Sequence, residues 1–137
     1  MSGKVFLDTN VLAYALDADA PDKQRQCRAL IADVGASGVG VISTQVMQEF
    51  FVTATRKLGL PPLAVKAVLK TFTAFEVVQV SPALIHEAID CSVLNELSFW
   101  DALIVASAAA AGCDTVYTED LNAGQTILGV TVRTPLT

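Results

Sequence analysis

Four acidic residues, Asp8, Glu49, Asp101 and Asp120, fall where predicted strands end or predicted helices begin. Taken singly, each has an ordinary role. Asp8 precedes a helix and suits a cap. Glu49 suits an exposed site near a helix start, favoured by the helix dipole. Asp101 completes Ser98-Phe99-Trp100-Asp101, which has the pattern of a capping box. Asp120, with Glu119, suits a solvated turn. Taken together they offer a different chemistry. Three or four carboxylates with no Cys or His beside them form an oxygen site suited to Mg²⁺ or Mn²⁺ rather than zinc. Such an ion lowers the pKa of bound water and stabilises charge on a phosphoryl group, which is what phosphodiester hydrolysis requires. Two bare carboxylates about 4 Å apart repel by about 1 kcal/mol in water and about 4 kcal/mol near a protein surface. If folding gathers these acids, the cluster calls for a cation.

The elements that must position them follow from hydrophobic spacing. Lys4 to Asp8 reads as a short buried strand, and Thr9 to Leu16 as a helix. An acidic turn from Asp17 to Asp22 leads to a helix reaching about Val34, then a glycine-rich link from Gly35 to Gly40. Val41 and Ile42 form a second strand. Ser43 and Thr44 are N-cap candidates for a helix reaching Leu58, with Gly59 as its stop. Pro61 and Pro62 open another helix, followed by a strand at Val77 to Val80. Ser81-Pro82 pairs a cap with proline at the first helical position. That helix runs to about Leu97, and Ser98 caps the next, which Gly112 ends. Asp114 to Thr118 is a fourth strand, and Val130 to Val132, with an extension toward Thr126, a fifth. Strands alternating with helices predict a three-layer α/β/α sandwich with a five-stranded, mostly parallel sheet. In such sheets the chemistry lies beyond the carboxyl ends of the strands, which is where the four acids fall.

The composition agrees. The 137 residues suit one domain over 1–137, and 53% are hydrophobic against 17% charged. The usual charged share is about 25%, so several elements must be covered on both sides, as in parallel sheets. The net charge of −5 excludes attachment to nucleic acid by bulk electrostatics. Any such contact needs a bound metal, a partner or a few local cations, for which Arg25, Arg28, Arg56, Lys57 and Lys66 are candidates. Cys27, Cys91 and Cys113 are odd in number and widely spaced, neither a disulfide framework nor a zinc site. They read as free thiols in a reducing compartment. The longest strongly apolar stretch without charge, Ala102 to Cys113, has 12 residues, too few to cross a membrane. A first strand beginning at Lys4 leaves no room for a signal peptide, and a cytoplasmic location is expected.

At the acids themselves the chain resembles a known family. Phe6-Leu7-Asp8-Thr9-Asn10-Val11-Leu12, Gln48-Glu49-Phe50, Ser98-Phe99-Trp100-Asp101-Ala102-Leu103-Ile104 and Thr118-Glu119-Asp120 resemble, in order and spacing, the four acidic motifs of PIN-domain nucleases. The resemblance spans essentially the whole chain. It implies a five-stranded parallel sheet with acids at its carboxyl edge and Mg²⁺- or Mn²⁺-dependent cleavage of RNA. Asp8, Glu49 and Asp101 would be metal ligands, and Asp120 would complete the site directly or through water. Asn10 would orient a ligand carboxylate, with Thr118 contributing similarly. Members of this length resemble the toxins of VapBC toxin–antitoxin pairs, which form homodimers and are silenced by a cognate antitoxin.

Other readings meet obstacles. A phospho-receiver needs paired acids near the first strand and a late lysine, but Thr9 follows Asp8 and no lysine follows Lys70. An aspartyl phosphotransferase often shows Asp-x-Asp, and Asp8-Thr9-Asn10 lacks the second acid. A catalytically inactive PIN-like regulatory or protein-interaction module stays open. His86, the lone histidine, reads as a structural residue on a helix. Trp100 and Phe99 read as packing beside the site, with base stacking as the alternative.

Overall fold

The computed structural model describes residues 3–136, so Met1, Ser2 and Thr137 of the expected 1–137 domain lie outside the described residues. The elements are β1 (Val5–Leu7), α1 (Thr9–Tyr14), α2 (Pro21–Ser37), β2 (Gly40–Ser43), α3 (Thr44–Val52), α4 (Pro62–Thr71), β3 (Glu76–Val78), α5 (Pro82–Asn95), α6 (Phe99–Ala110), β4 (Thr115–Tyr117), β5 (Thr126–Ile127) and β6 (Val130–Arg133). A π-helical turn, Thr53–Lys57, continues α3.

Among the described residues the sheet has six strands in the order β3-β2-β1-β4-β6-β5, parallel except for β5. The expected fifth strand is a two-stranded hairpin. Leu128 and Gly129 both take positive φ, 53° and 79°, and reverse the chain between β5 and β6. Paired positive φ is the geometry of tight hairpin turns, for which Asn-Gly is the usual signal. Leu-Gly hides it. The short antiparallel β5 returns the chain so that β6 can lie parallel to β4 without an intervening helix.

The glycine-rich link also differs from expectation. The link at Gly35 to Gly40 is mostly helix, because α2 runs through Gly35 to Ser37 and stops at Gly38. Gly40 opens β2 instead, with no room for a side chain. A Cβ there would strike the Phe75 ring and stand 2.8 Å from Val34 Cγ1.

The caps follow the sequence. Ser43 Oγ accepts the Val46 N–H at 3.2 Å, Ser81 Oγ accepts that of Leu84 at 3.2 Å, and Ser98 Oγ accepts that of Asp101 at 3.1 Å. The main core joins Phe6, Leu7, Val41, Ile42 and Val116 from the strands to Leu12, Val46, Phe50, Val65 and Val105 from the helices. In α6 every residue from Ala102 to Ala108 is buried, so its small side chains let it lie close to the sheet. The three cysteines are free and buried. Burial pushes the Cys113 thiol up to about 12, where it is inert as a nucleophile. Among the described residues, no single helix is long and apolar enough to cross a membrane.

Candidate metal centre

The strand order makes β1 a switch point. From it the chain proceeds to β2 on one side, while β4 lies on the other. In parallel α/β sheets such a point leaves a crevice beyond the strand ends. Leu7 pairs with Tyr117 across β1 and β4, so the next residues on each strand, Asp8 and Thr118, emerge side by side. The Asp8 N–H donates to the Tyr117 carbonyl at 3.1 Å, and that of Thr118 to the Arg133 carbonyl at 3.0 Å. Both residues are therefore fixed by the sheet ladder itself.

Asp8 is 5% exposed. Its Oδ1 accepts the Thr9 N–H at 2.7 Å, which caps α1, and its Oδ2 accepts the Thr118 hydroxyl at 2.7 Å. The expected cap and the candidate site residue are the same carboxylate. Thr118, 1% exposed, also accepts at Oγ1 from the Asp120 N–H at 3.0 Å and from Asn10 Nδ2 at 3.4 Å. Asn10 Nδ2 donates to Asp120 Oδ2 at 3.1 Å. Glu49, carried on α3, accepts the Thr9 hydroxyl at 2.8 Å and Gln45 Nε2 at 3.5 Å. Thr9 thus links Asp8 to Glu49, and Thr118 links Asp8 to Asp120.

Asp8, Glu49 and Asp120 line one cavity of about 660 Å³. Asp101, in the first turn of α6, stands outside that lining. Its charge still reaches the site, since it helps raise the Asp120 carboxyl, after desolvation. Burial, opposed by the Thr118 and Thr9 hydrogen bonds and reinforced by the charges of Asp120 and Glu49, raises the Asp8 carboxyl from 3.8 to about 7. The acids therefore form an electrostatic chain, with Glu49 and Asp120 acting on Asp8 and Asp101 acting on Asp120.

Among the described residues, no three Asp, Glu, His or Cys side chains converge as a ready-made ligand set. The donor chemistry nonetheless fits a hard divalent ion. Asn10 Oδ1 and Gln45 Oε1 are buried acceptor oxygens without a partner, and a partnerless buried acceptor invites a ligand. Both side chains line the cavity with the three carboxylates. Mg²⁺ is usually held through one or two carboxylates, with water completing its shell, so a full protein cage is not required.

Sequence reasoning passed over two side chains here. Thr9, which steadies Glu49, sits beside Asp8, and Gln45 lies one helical turn before Glu49; that i, i+4 spacing was the available signal. Trp100, expected to pack beside the site, meets Phe99 edge-on at the cavity wall with 61% of its surface exposed. His86 lies exposed on α5, outside the cavity lining. At the rim, the Tyr14 hydroxyl donates to Glu119 Oε1 at 2.7 Å, and Lys23 Nζ donates to that hydroxyl at 3.1 Å.

The family model described as PIN domain matches residues 5–126. A toxin–antitoxin complex from Klebsiella pneumoniae is similar, with 18% identity, a TM-score of 0.74 and coverage of 96% of this chain and 98% of that one. DNA-bound VapBC from Salmonella typhimurium is 20% identical at a TM-score of 0.69, covering 96% and 98%. A VapC toxin of Mycobacterium tuberculosis, described as cleaving the sarcin–ricin loop, is 23% identical at 0.64, covering 85% and 92%. At these identities the likeness is one of fold. Comparison with curated proteins returns no match.

Proposed function

The chain belongs to the PIN-domain family, and on that premise we propose that it is a divalent-metal-dependent endoribonuclease, the toxin of a toxin–antitoxin pair acting in the cytoplasm. The observation that carries this reading is the bonded row of side chains at the sheet's switch point. There Thr118 ties Asp8 to Asp120, and Thr9 ties Asp8 to Glu49. Nothing in strand pairing or core packing requires acids to be crowded against a buried aspartate whose proton affinity they raise. A cation offsets that cost.

Asp8, Glu49 and Asp120 would hold Mg²⁺ or Mn²⁺, with Asp101 completing the set from α6. The chemistry such an ion supplies is acidification of water and neutralisation of charge on the phosphoryl oxygens. The protein's own work is orientation. The Thr118 hydroxyl fixes the Asp8 carboxylate, Asn10 fixes that of Asp120, and Thr9 and Gln45 fix that of Glu49. Partners of this kind set ligand direction and basicity. The toxin assignment and the antitoxin draw on the likeness to toxin–antitoxin structures, and a homodimeric state on the resemblance of the sequence motifs to those of such toxins.

A second reading, a catalytically inactive regulatory module, draws on the lack of three converged ligands among the described residues. Metal titration separates the two. Mn²⁺ or Mg²⁺ at about 100 times its dissociation constant should stabilise the fold by about 2.7 kcal/mol, and RNA should be cut with metal but not with chelator. An unmoved melting temperature together with intact RNA would select the inactive module.

A further inference from the structure

Trp100 is the chain's only tryptophan. It lies in the first turn of α6, immediately before Asp101, and is 61% exposed. Large apolar rings elsewhere, such as Phe6 and Phe50, are fully buried. The exposure of Trp100 does not come from a loose segment. Its carbonyl accepts Gln45 Nε2 at 3.2 Å, and the Phe99 ring stands 5.1 Å away, edge-on at 77°. Phe99 in turn packs against the small core of Leu84, Ala88, Leu103 and Ala106. A rigid aromatic is thus held in water at the wall of the acidic cavity.

That cavity is poorly suited to binding phosphates by charge. Asp8, Asp17, Glu49, Glu119 and Asp120 line it, and Lys57, delivered by the π-helical turn, is the one cation among the described lining residues. Single π-helical turns continuing an α-helix occur frequently at functional sites. With a net charge of −5, a bound cation would offset the acids but few side-chain cations are left for phosphates, so a contact that does not depend on Coulomb attraction adds affinity the surface otherwise lacks. Base stacking on an aromatic is such a contact, and it is available only to a base free of its helix partner.

Resting on the ribonuclease reading above, we propose that Trp100 is a stacking platform for an unpaired RNA base and that Lys57 takes an adjacent phosphate. The cavity of about 660 Å³ falls within the range of small-molecule sites, about 300–1,000 Å³.

Because Trp100 is the sole tryptophan, its fluorescence reports the platform directly. Full-length protein is titrated with an adenine-containing single-stranded oligoribonucleotide, and separately with the same strand annealed to its complement. Metal-free wild type and Asp8→Asn with Mg²⁺ keep the RNA intact during the measurement. The expected result is quenching by the single strand and much less by the duplex. By anisotropy of labelled RNA, Trp100→Ala should bind about 5- to 150-fold more weakly, the range for losing one stacked base, with Trp100→Phe partly restored. Lys57→Ala should reduce the slope of log K against log salt by about 0.7, and Trp100→Ala should leave that slope unchanged. Equal quenching by duplex, or unchanged binding by Trp100→Ala, would overturn the proposal. So would a tryptophan signal that follows protein concentration without RNA, which would assign the ring to a second copy. The outcomes are separable from those of the ribonuclease reading. Cleavage without quenching removes the platform alone, whereas quenching without cleavage removes the enzyme and keeps the platform.

Discussion

The Thr118 hydroxyl donates to Asp8 Oδ2 at 2.7 Å, joining the residue just past β4 to the residue just past β1. The same oxygen accepts from the Asp120 backbone and from Asn10. One buried hydroxyl therefore directs the Asp8 carboxylate and holds the Asp120 backbone beside it.

Replacing Thr118 with Val keeps the shape and removes that hub. The Asp120 N–H loses its partner, and Asp8 loses a donor. A loss of 10- to 100-fold in metal affinity or cleavage is expected, the usual effect of removing a ligand's hydrogen-bond partner. Stability should fall by about 1–3 kcal/mol. Isothermal titration with Mn²⁺ and a chemical melt would measure the two effects. Wild-type metal affinity in the variant would show that the hydroxyl serves folding alone.

Asp8→Asn should abolish metal-dependent cleavage, by more than the 10- to 100-fold expected for an outer partner, while the circular dichroism spectrum stays native. The amide oxygen can still accept the Thr9 N–H and cap α1. Asp101→Asn should also abolish cleavage without unfolding the chain. Full Mg²⁺-dependent activity in both variants would remove the acids from catalysis.

The metal-free protein should lose stability as pH rises. Asp8 has a folded pKa of about 7 against an ordinary 3.8, so the folded state holds a proton that the unfolded state has released. Its contribution is fully present below about pH 4 and is lost as pH climbs through 7. At 1.36 kcal/mol per unit, the span is about 4 kcal/mol. Asp120, also raised, acts in the same direction. Urea melts in chelator between pH 5 and 8 should show the decline, and Asp8→Asn should flatten it. A wild-type slope preserved in that variant would assign the effect elsewhere.

Two glycines of the expected link should respond oppositely to alanine. Gly35 lies within α2 with open space around its missing Cβ, so Gly35→Ala should stabilise by about 0.5–1 kcal/mol. Gly40→Ala drives a methyl into Phe75 and Val34 and should destabilise by about 1–3 kcal/mol. Thermal melts of the pair would check both signs.

Much of this was legible in the residues. Ser43, Ser81 and Ser98 cap helices as their position before apolar runs foretells. The alternation of strands and helices fixes a parallel sheet, and the four acids fall beyond its strands or in adjoining helices. What escaped depends on geometry that spacing does not encode. Gly35 is tolerated inside α2 because tertiary packing outweighs its propensity. The β5–β6 turn uses Leu128 where Asn is usual. The continuation of α3 as a π turn has no periodic mark, yet it sets where Lys57 emerges. Trp100 belongs to an apolar stretch, and only the orientation of α6 decides that its ring faces water.

The backbone bond from Thr118 to the Arg133 carbonyl also orders events in time. All four acids have been synthesised once the ribosome passes residue 120, but the strand that anchors the hydroxyl beside Asp8 arrives only with Arg133. A nascent or prematurely terminated chain ending in between carries every acid and lacks that anchor. Assembly of the site thus waits on the strand that is made last, so a chain stopped between the two points holds its acids without the bond that seats Thr118.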